Sequence, residues 1–242
     1  MAPLSRRLIA EFLGTFALIF IGCGSVIADN YARFGMMGIA TAHALVLAVM
    51  ITALMNISGA HFNPAVTLGL LIGKRIDGAS AGAYVVAQLI GGIVGAFALR
   101  LVLPSAIVHV TTLGAPSLAP GMGFWQAVGM EAILTFFLVS AVYGTAVAKN
   151  APKVGGFGIG LVLLFDILVG GGLTGAAMNP ARALGPAVVA GSWTAHAVWW
   201  IGPLLAELGH SREQGAVPPR RCNRPRSLCR RVRRVGSGGN AG

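Results

Sequence analysis

The chain has 242 residues, 55% of them hydrophobic and only 10% charged, with a mean hydropathy of +0.77. That is too apolar for a soluble domain of this length and marks a membrane protein embedded in a lipid bilayer. The formal net charge of +11 invites a nucleic-acid reading, but nine of the eighteen basic residues are arginines between Arg212 and Arg234, in a terminal tail and not on a folded face, which argues against a nucleic-acid partner.

The first apolar window runs from Leu8 to Ala28. Arg6 and Arg7 precede it, and Val26 and Ala28 are spaced like a secretory cleavage site, yet about 20 apolar residues with Glu11 among them read as a retained span and not as a signal core. Cys23 lies inside this window, and with Cys222 and Cys229 it makes an odd set with neither pairing nor metal-ligand spacing, so no metal and no cofactor is expected. A second window spans Met37–Asn56. It is followed by "SGAHFNPAVTLG" at Ser58–Gly69, where proline at the first position of a helix predicts a nine-residue helix from Pro64 to Ile72 with Asn63 as its N-cap. Nine residues cover roughly 14 Å, about half the hydrocarbon thickness.

The third window is Ala81–Leu103, followed by an uncharged loop, Pro104 to Gly123, then windows at Phe124–Ala148 and Phe157–Leu173. "TGAAMNPARALGP", beginning at Thr174, predicts a second short helix from Pro180 with Asn179 as its cap. The last window, Trp193–Leu208, makes only about 24 Å of helix, short of a full span.

The two halves repeat. Glu11–Phe16 and Glu131–Phe136 both read E-x-x-x-T-F, and Asn63-Pro64-Ala65 answers Asn179-Pro180-Ala181, at offsets of 120 and 116 residues. Three spans per copy make the repeat inverted, so the two tripeptides enter from opposite faces and point at each other. Arg6 and Arg7, Lys74 and Arg75, Lys149 and Lys153, and the arginine tail fall on one side, which predicts both termini in the cytoplasm, with Arg33 a mild exception.

Irregular backbone before each short helix must be buried in protein or line a wet path. Each helix N-terminus carries roughly half a positive charge. Two such ends at one midplane point repel cations and hydronium, while a neutral molecule accepts hydrogen bonds from the Asn NH₂ groups left over from capping and donates to loop carbonyls.

The two Asn-Pro-Ala motifs at inverted-repeat spacing, the second followed by Arg182, together with the paired E-x-x-x-T-F segments, resemble the aquaporins, or major intrinsic proteins, from about Leu8 to Pro203. The resemblance implies an all-α membrane fold, an inverted repeat of six transmembrane helices plus two half-helices. It also implies passive flow of water or small neutral solutes and a homotetramer with one pore per subunit. By their spacing from the motifs, four residues carry over to the family's selectivity constriction: His43, Ile167, Ala176 and Arg182. Strict water channels carry a second histidine at the Ile167 position and glycerol facilitators carry aromatic residues. This set is more similar to plant tonoplast intrinsic proteins and implies a pore somewhat wider than a strict water filter. Ala183 replaces the aspartate usual in glycerol facilitators, and Trp199 and Trp200 resemble the aromatic pair of water-type members. The expected solute is water, with urea, ammonia or hydrogen peroxide as extras, in a multi-pass protein of the cell membrane.

Residues 1–208 read as the channel domain, with repeats at about 8–103 and 124–208, and 209–242 as an Arg-rich tail without fixed structure. In the family the sixth span continues beyond the Gly202-Pro203 position. The abrupt polarity here reads either as a lipid-binding arm or as a shifted reading frame. Glu11 and Glu131 are expected to brace the loops that lead into the half-helices. Asp166 has no role beyond a buried polar contact, and His61 reads as structural. Two other functions stay open: a proton-coupled transporter using Glu11, Glu131 and Asp166, and a non-conducting subunit with a disrupted last helix. No nucleophile or metal constellation points to an enzyme.

Overall fold

The computed structural model describes residues 2–148 and 150–216, with side chains to residue 207. These residues form nine α-helices and no strand: α1 (Leu4–Ala32), α2 (Gly35–Ser58), α3 (Pro64–Ile72), α4 (Gly78–Val102), α5 (Ser105–Val110), α6 (Phe124–Val142), α7 (Phe157–Thr174), α8 (Pro180–Ala190) and α9 (Val198–Ala216). Five of them are long and apolar enough to cross a membrane: α1, α2, α4, α7, and α6 together with the π turn at Tyr143–Val147 that extends it.

Each half supplies three long helices and one short one, and the halves interlock. α1 packs on α4 and α2, α2 on α7, and α6 on α9 and α7; the short helices cross over, α8 lying against α4 and α3 against α9. Close approach needs small residues. A Cβ at Gly91 would lie 2.5 Å from the Phe12 carbonyl oxygen, and one at Gly95 2.8 Å from that of Phe16, so α1 and α4 meet backbone to backbone.

α1 and α2 begin and end beyond their apolar windows because helical hydrogen bonding continues into polar turns until a cap stops it. α1 runs to Ala32 and ends at Arg33, in the left-handed region at φ 52°; α2 ends at Gly59, φ 92°. The expected outer loop contains α5 and a 3₁₀ turn at Thr112–Gly114. The last helix differs most from its window. It starts at Val198 and not at Trp193, and it continues to Ala216, eight residues past Leu208, because nothing there breaks a helix before Pro218-Pro219 in the sequence. The rest of the expected tail, 217–242, lies outside the described residues.

The inverted repeat extends to the seating of the short helices, and it departs from symmetry at α9. Gly92 of α4 lies against α8, where an added Cβ would sit 2.7 Å from the Ala181 carbonyl oxygen. At the matching place in the other half α9 carries Glu207, packed against Gly69 of α3, where a Cβ would sit 2.6 Å from the Glu207 Cδ. Glu207 is 1% exposed, and neither carboxyl oxygen has a hydrogen-bond partner among the described residues.

Candidate functional site

The two short helices start where proline dictates. Asn63 is extended at φ −153°, and its carboxamide oxygen accepts from Ala65 N at 2.9 Å; Asn179, at φ −150°, accepts from Ala181 N at 3.0 Å and Arg182 N at 3.3 Å. Both are the expected N-caps. Their NH₂ groups are not wholly free, which corrects the expectation from sequence. Asn63 Nδ2 donates to Met178 O at 2.8 Å, and Asn179 Nδ2 to Phe62 O at 2.9 Å. The tips are close enough to cross-link, so one hydrogen of each NH₂ is spent on the opposite half and one is left.

The segments entering the helices hold an improbable backbone. Ala60 and Phe62 have φ of 53° and 50°, and Ala176 and Met178 have φ of 42° and 50°. Left-handed non-glycine residues cost on the order of 1 kcal/mol or more each and persist only where the surroundings fix them. Here two buried carboxylates do so. Glu11 Oε1 accepts from Ser58 Oγ at 2.6 Å and His61 N at 3.1 Å, and its Oε2 accepts from Phe62 N at 2.7 Å and Gln88 Nε2 at 2.8 Å. Glu131 Oε1 accepts from Thr174 Oγ1 at 2.6 Å and Ala177 N at 3.0 Å, and its Oε2 accepts from Met178 N at 2.7 Å. Three or four donors converge on each carboxyl group, which offsets the cost of burying it.

The bracing set is larger than the motifs suggest. Tyr84 Oη donates to Ser58 O at 2.7 Å, and Trp199 Nε1 donates to Thr174 O at 2.9 Å, so each half ties off the end of the span preceding its loop. The offset of about 116 residues pairs Ser58 with Thr174 and Tyr84 with Trp199, which is the signal that could have found them, whereas Gln88 falls opposite Leu204 and carries none.

Two cavities meet along one path. The inner, of about 30 Å³, is bordered by Asn63, Asn179, His61, Ala176, His43 and Arg182, with an otherwise apolar wall that includes Leu47, Leu138 and Leu163. At about 10–15 Å³ per water position this is room for two or three waters and not for a pool. The outer, of about 140 Å³, is bordered by Ile167, Met36, Gly175, His43 and Arg182. His43 and Arg182 line both and so divide them, with Ile167 on the outer side and Ala176 on the inner. The four residues singled out by spacing are therefore brought together. Arg182 is buried, and its Nη1 has no protein partner among the described residues.

Asp166 is buried, neither of its oxygens has a partner among the described residues, and it does not border either cavity. His61 borders the inner cavity, and its Nδ1 lies 3.1 Å from Thr67 Oγ1. Trp199 and Trp200 stand away from the path, Trp200 donating to His196 Nε2 at 3.1 Å. Cys23 is buried and unpaired. No group of three or more metal-ligating side chains occurs among the described residues.

Residues 1–209 match the family model described as Major intrinsic protein. Aquaporin TIP4-4 of Zea mays is 43% identical over 211 residues, covering 83% of this chain and 81% of that protein. Aquaporin-8 of Rattus norvegicus is 42% identical over 202 residues, covering 83% and 76%. Among solved structures, the aquaglyceroporin from Plasmodium falciparum is similar with a TM-score of 0.77, covering 89% of this chain and 97% of that one; at 24% identity the likeness is one of fold.

Proposed function

Since the chain belongs to the major intrinsic protein family, whose members are channels and not enzymes, we propose that it is a passive pore conducting chiefly water, with urea, ammonia or hydrogen peroxide as further solutes. The observation that carries this reading is the reciprocal cross-link of Asn63 and Asn179 bordering a narrow cavity. Two helix N-termini converge there, each leaving one donor for a neutral molecule and presenting positive potential to a cation. Beyond them His43, Ile167, Ala176 and Arg182 act as the filter, with Arg182 adding a full charge and fixed donors. The apolar contributions of Ile167 and Ala176 favour small uncharged solutes besides water.

Glu11 and Glu131 are braces in this reading, because seven hydrogen bonds from the entering loops and their supports occupy them. A proton relay through them and Asp166 has no path along the cavities. The subunit is a homotetramer component of the cell membrane, multi-pass, with both termini cytoplasmic by the distribution of lysine and arginine. Residues 1–208 are the conducting unit.

Stopped-flow light scattering on proteoliposomes tests the reading. Shrinkage faster than bare lipid, and unchanged by an imposed pH gradient, is expected; lipid-like shrinkage ends the channel proposal, and flux that follows the gradient revives the transporter. One observation favours a second reading. The unpartnered Glu207 carboxylate in α9 weakens the last helix, and a chain that yields no tetramer until Glu207→Ala is introduced would be a non-conducting subunit as it stands.

A further inference from the structure

Leu18, Gly22 and Val26 share one face of α1 at four-residue spacing. Leu18 borders the inner cavity and Val26 the outer, which puts Gly22 between them, at the level where His43 and Arg182 divide the path. A Cβ at Gly22 would lie 2.6 Å from both Cδ2 and Nε2 of His43 and 3.2 Å from Cε1. The imidazole thus occupies the space that any other residue at this position would fill. Its Nδ1 lies 2.9 Å from the carbonyl oxygen of Ile39, which can only accept, so the proton is assigned to Nδ1 and the neutral ring keeps Nε2 as an acceptor.

We infer that Gly22 is a fifth position of the constriction and sets its width by having no side chain: the His43 ring lies back against the α1 backbone in the space left there. The inference rests on the channel reading. Ring and backbone are in contact, the Ile39 bond limits rotation, and the open volume beside the ring is the cavity it borders. A methyl group at 22 therefore drives the ring across the path. The narrowing acts on a solute larger than water more than on water, since one methylene-sized change in a fitted site discriminates by roughly tenfold or more.

The test is a double-substitution cycle on the full chain in proteoliposomes, measuring urea and water permeability for the wild type, Gly22→Ala, His43→Ala and the pair. G22A is expected to lower the urea-to-water ratio roughly tenfold, and to change it less than about twofold when His43 is already alanine. An unchanged ratio in G22A, or an equal loss with and without the ring, overturns the inference. Where the wild type passes water and no urea, water permeability takes the place of the ratio, with the same expectations. G22A failing to assemble while the pair assembles is the expected sign of a displaced ring; failure of both overturns it. If the wild type conducts nothing, the channel reading falls by itself, and a cryo-EM map of G22A still decides whether His43 moves away from α1, an unmoved ring overturning the claim.

Discussion

Asn63 Nδ2 donates to the carbonyl oxygen of Met178 at 2.8 Å, joining residues 115 apart in the chain. The partner bond from Asn179 to Phe62, at 2.9 Å, closes the link from the other side. The two half-helices therefore hold each other in register, tip against tip.

Asn63→Ala removes an N-cap and a cross-link together and should lower stability by about 1–3 kcal/mol, read as a drop in the melting temperature of the detergent-solubilised protein. Asn63→Asp keeps the capping oxygen, loses the donor and sets a negative charge between two positive helix ends. Cation conductance across a planar bilayer should rise above the wild type.

Glu11 accepts four hydrogen bonds and Glu131 three. A glutamine replaces one accepting oxygen with a donor, which strands the N–H groups that pointed at it. Glu11→Gln strands two donors when its NH₂ falls at Oε2, and Glu131→Gln strands one. At about 1–3 kcal/mol per stranded buried group, E11Q should melt below E131Q, and both below the wild type.

Glu207 is the reverse case, a buried carboxyl group with no partner on either oxygen among the described residues. Removing a polar group that burial leaves unsatisfied stabilises by about 1–3 kcal/mol. Glu207→Ala should raise the melting temperature and the yield of assembled protein; a lower melting temperature would mean that the carboxylate has a partner in the assembly.

Asp77 caps α4, accepting from Ser80 N at 2.9 Å. The Ser80 backbone N–H and then its hydroxyl hold this exposed carboxyl below its ordinary value. A carboxyl depressed in the folded state contributes stability that is present above its unfolded value, near 3.9, and is lost as the pH falls through the lower folded value. Asp77→Asn caps without titrating, so the variant should lose less stability than the wild type between neutral pH and about pH 3, measured by thermal melts along a pH series.

Much of this was legible because motif and period are local. Proline at Pro64 and Pro180 sets the starts of α3 and α8, and α3 ends at Ile72 as nine residues of helix require. His43, Ile167, Ala176 and Arg182, picked out by spacing alone, border the two adjoining cavities, since half-helix and span keep a fixed register. What the sequence hid depends on contact between distant segments. That the Asn NH₂ groups are half spent follows from the distance between the tips, which neither half encodes alone. The role of Gln88 depends on the crossing of α1 and α4, and that of Gly22 on the direction of the His43 ring. α9 was misjudged in both start and end because hydropathy measures affinity for lipid, whereas a helix stops only where its hydrogen-bond ladder is broken.

The left-handed backbone at Ala60, Phe62, Ala176 and Met178 is fixed by carboxylates buried inside the subunit, and the tips are fixed by each other. Both carboxyls sit on spanning helices that also face outward, Glu11 on α1 and Glu131 on α6. A tilt of either span is therefore carried straight into the strained loop it braces, so the shape of the waist is tied to how those two helices stand.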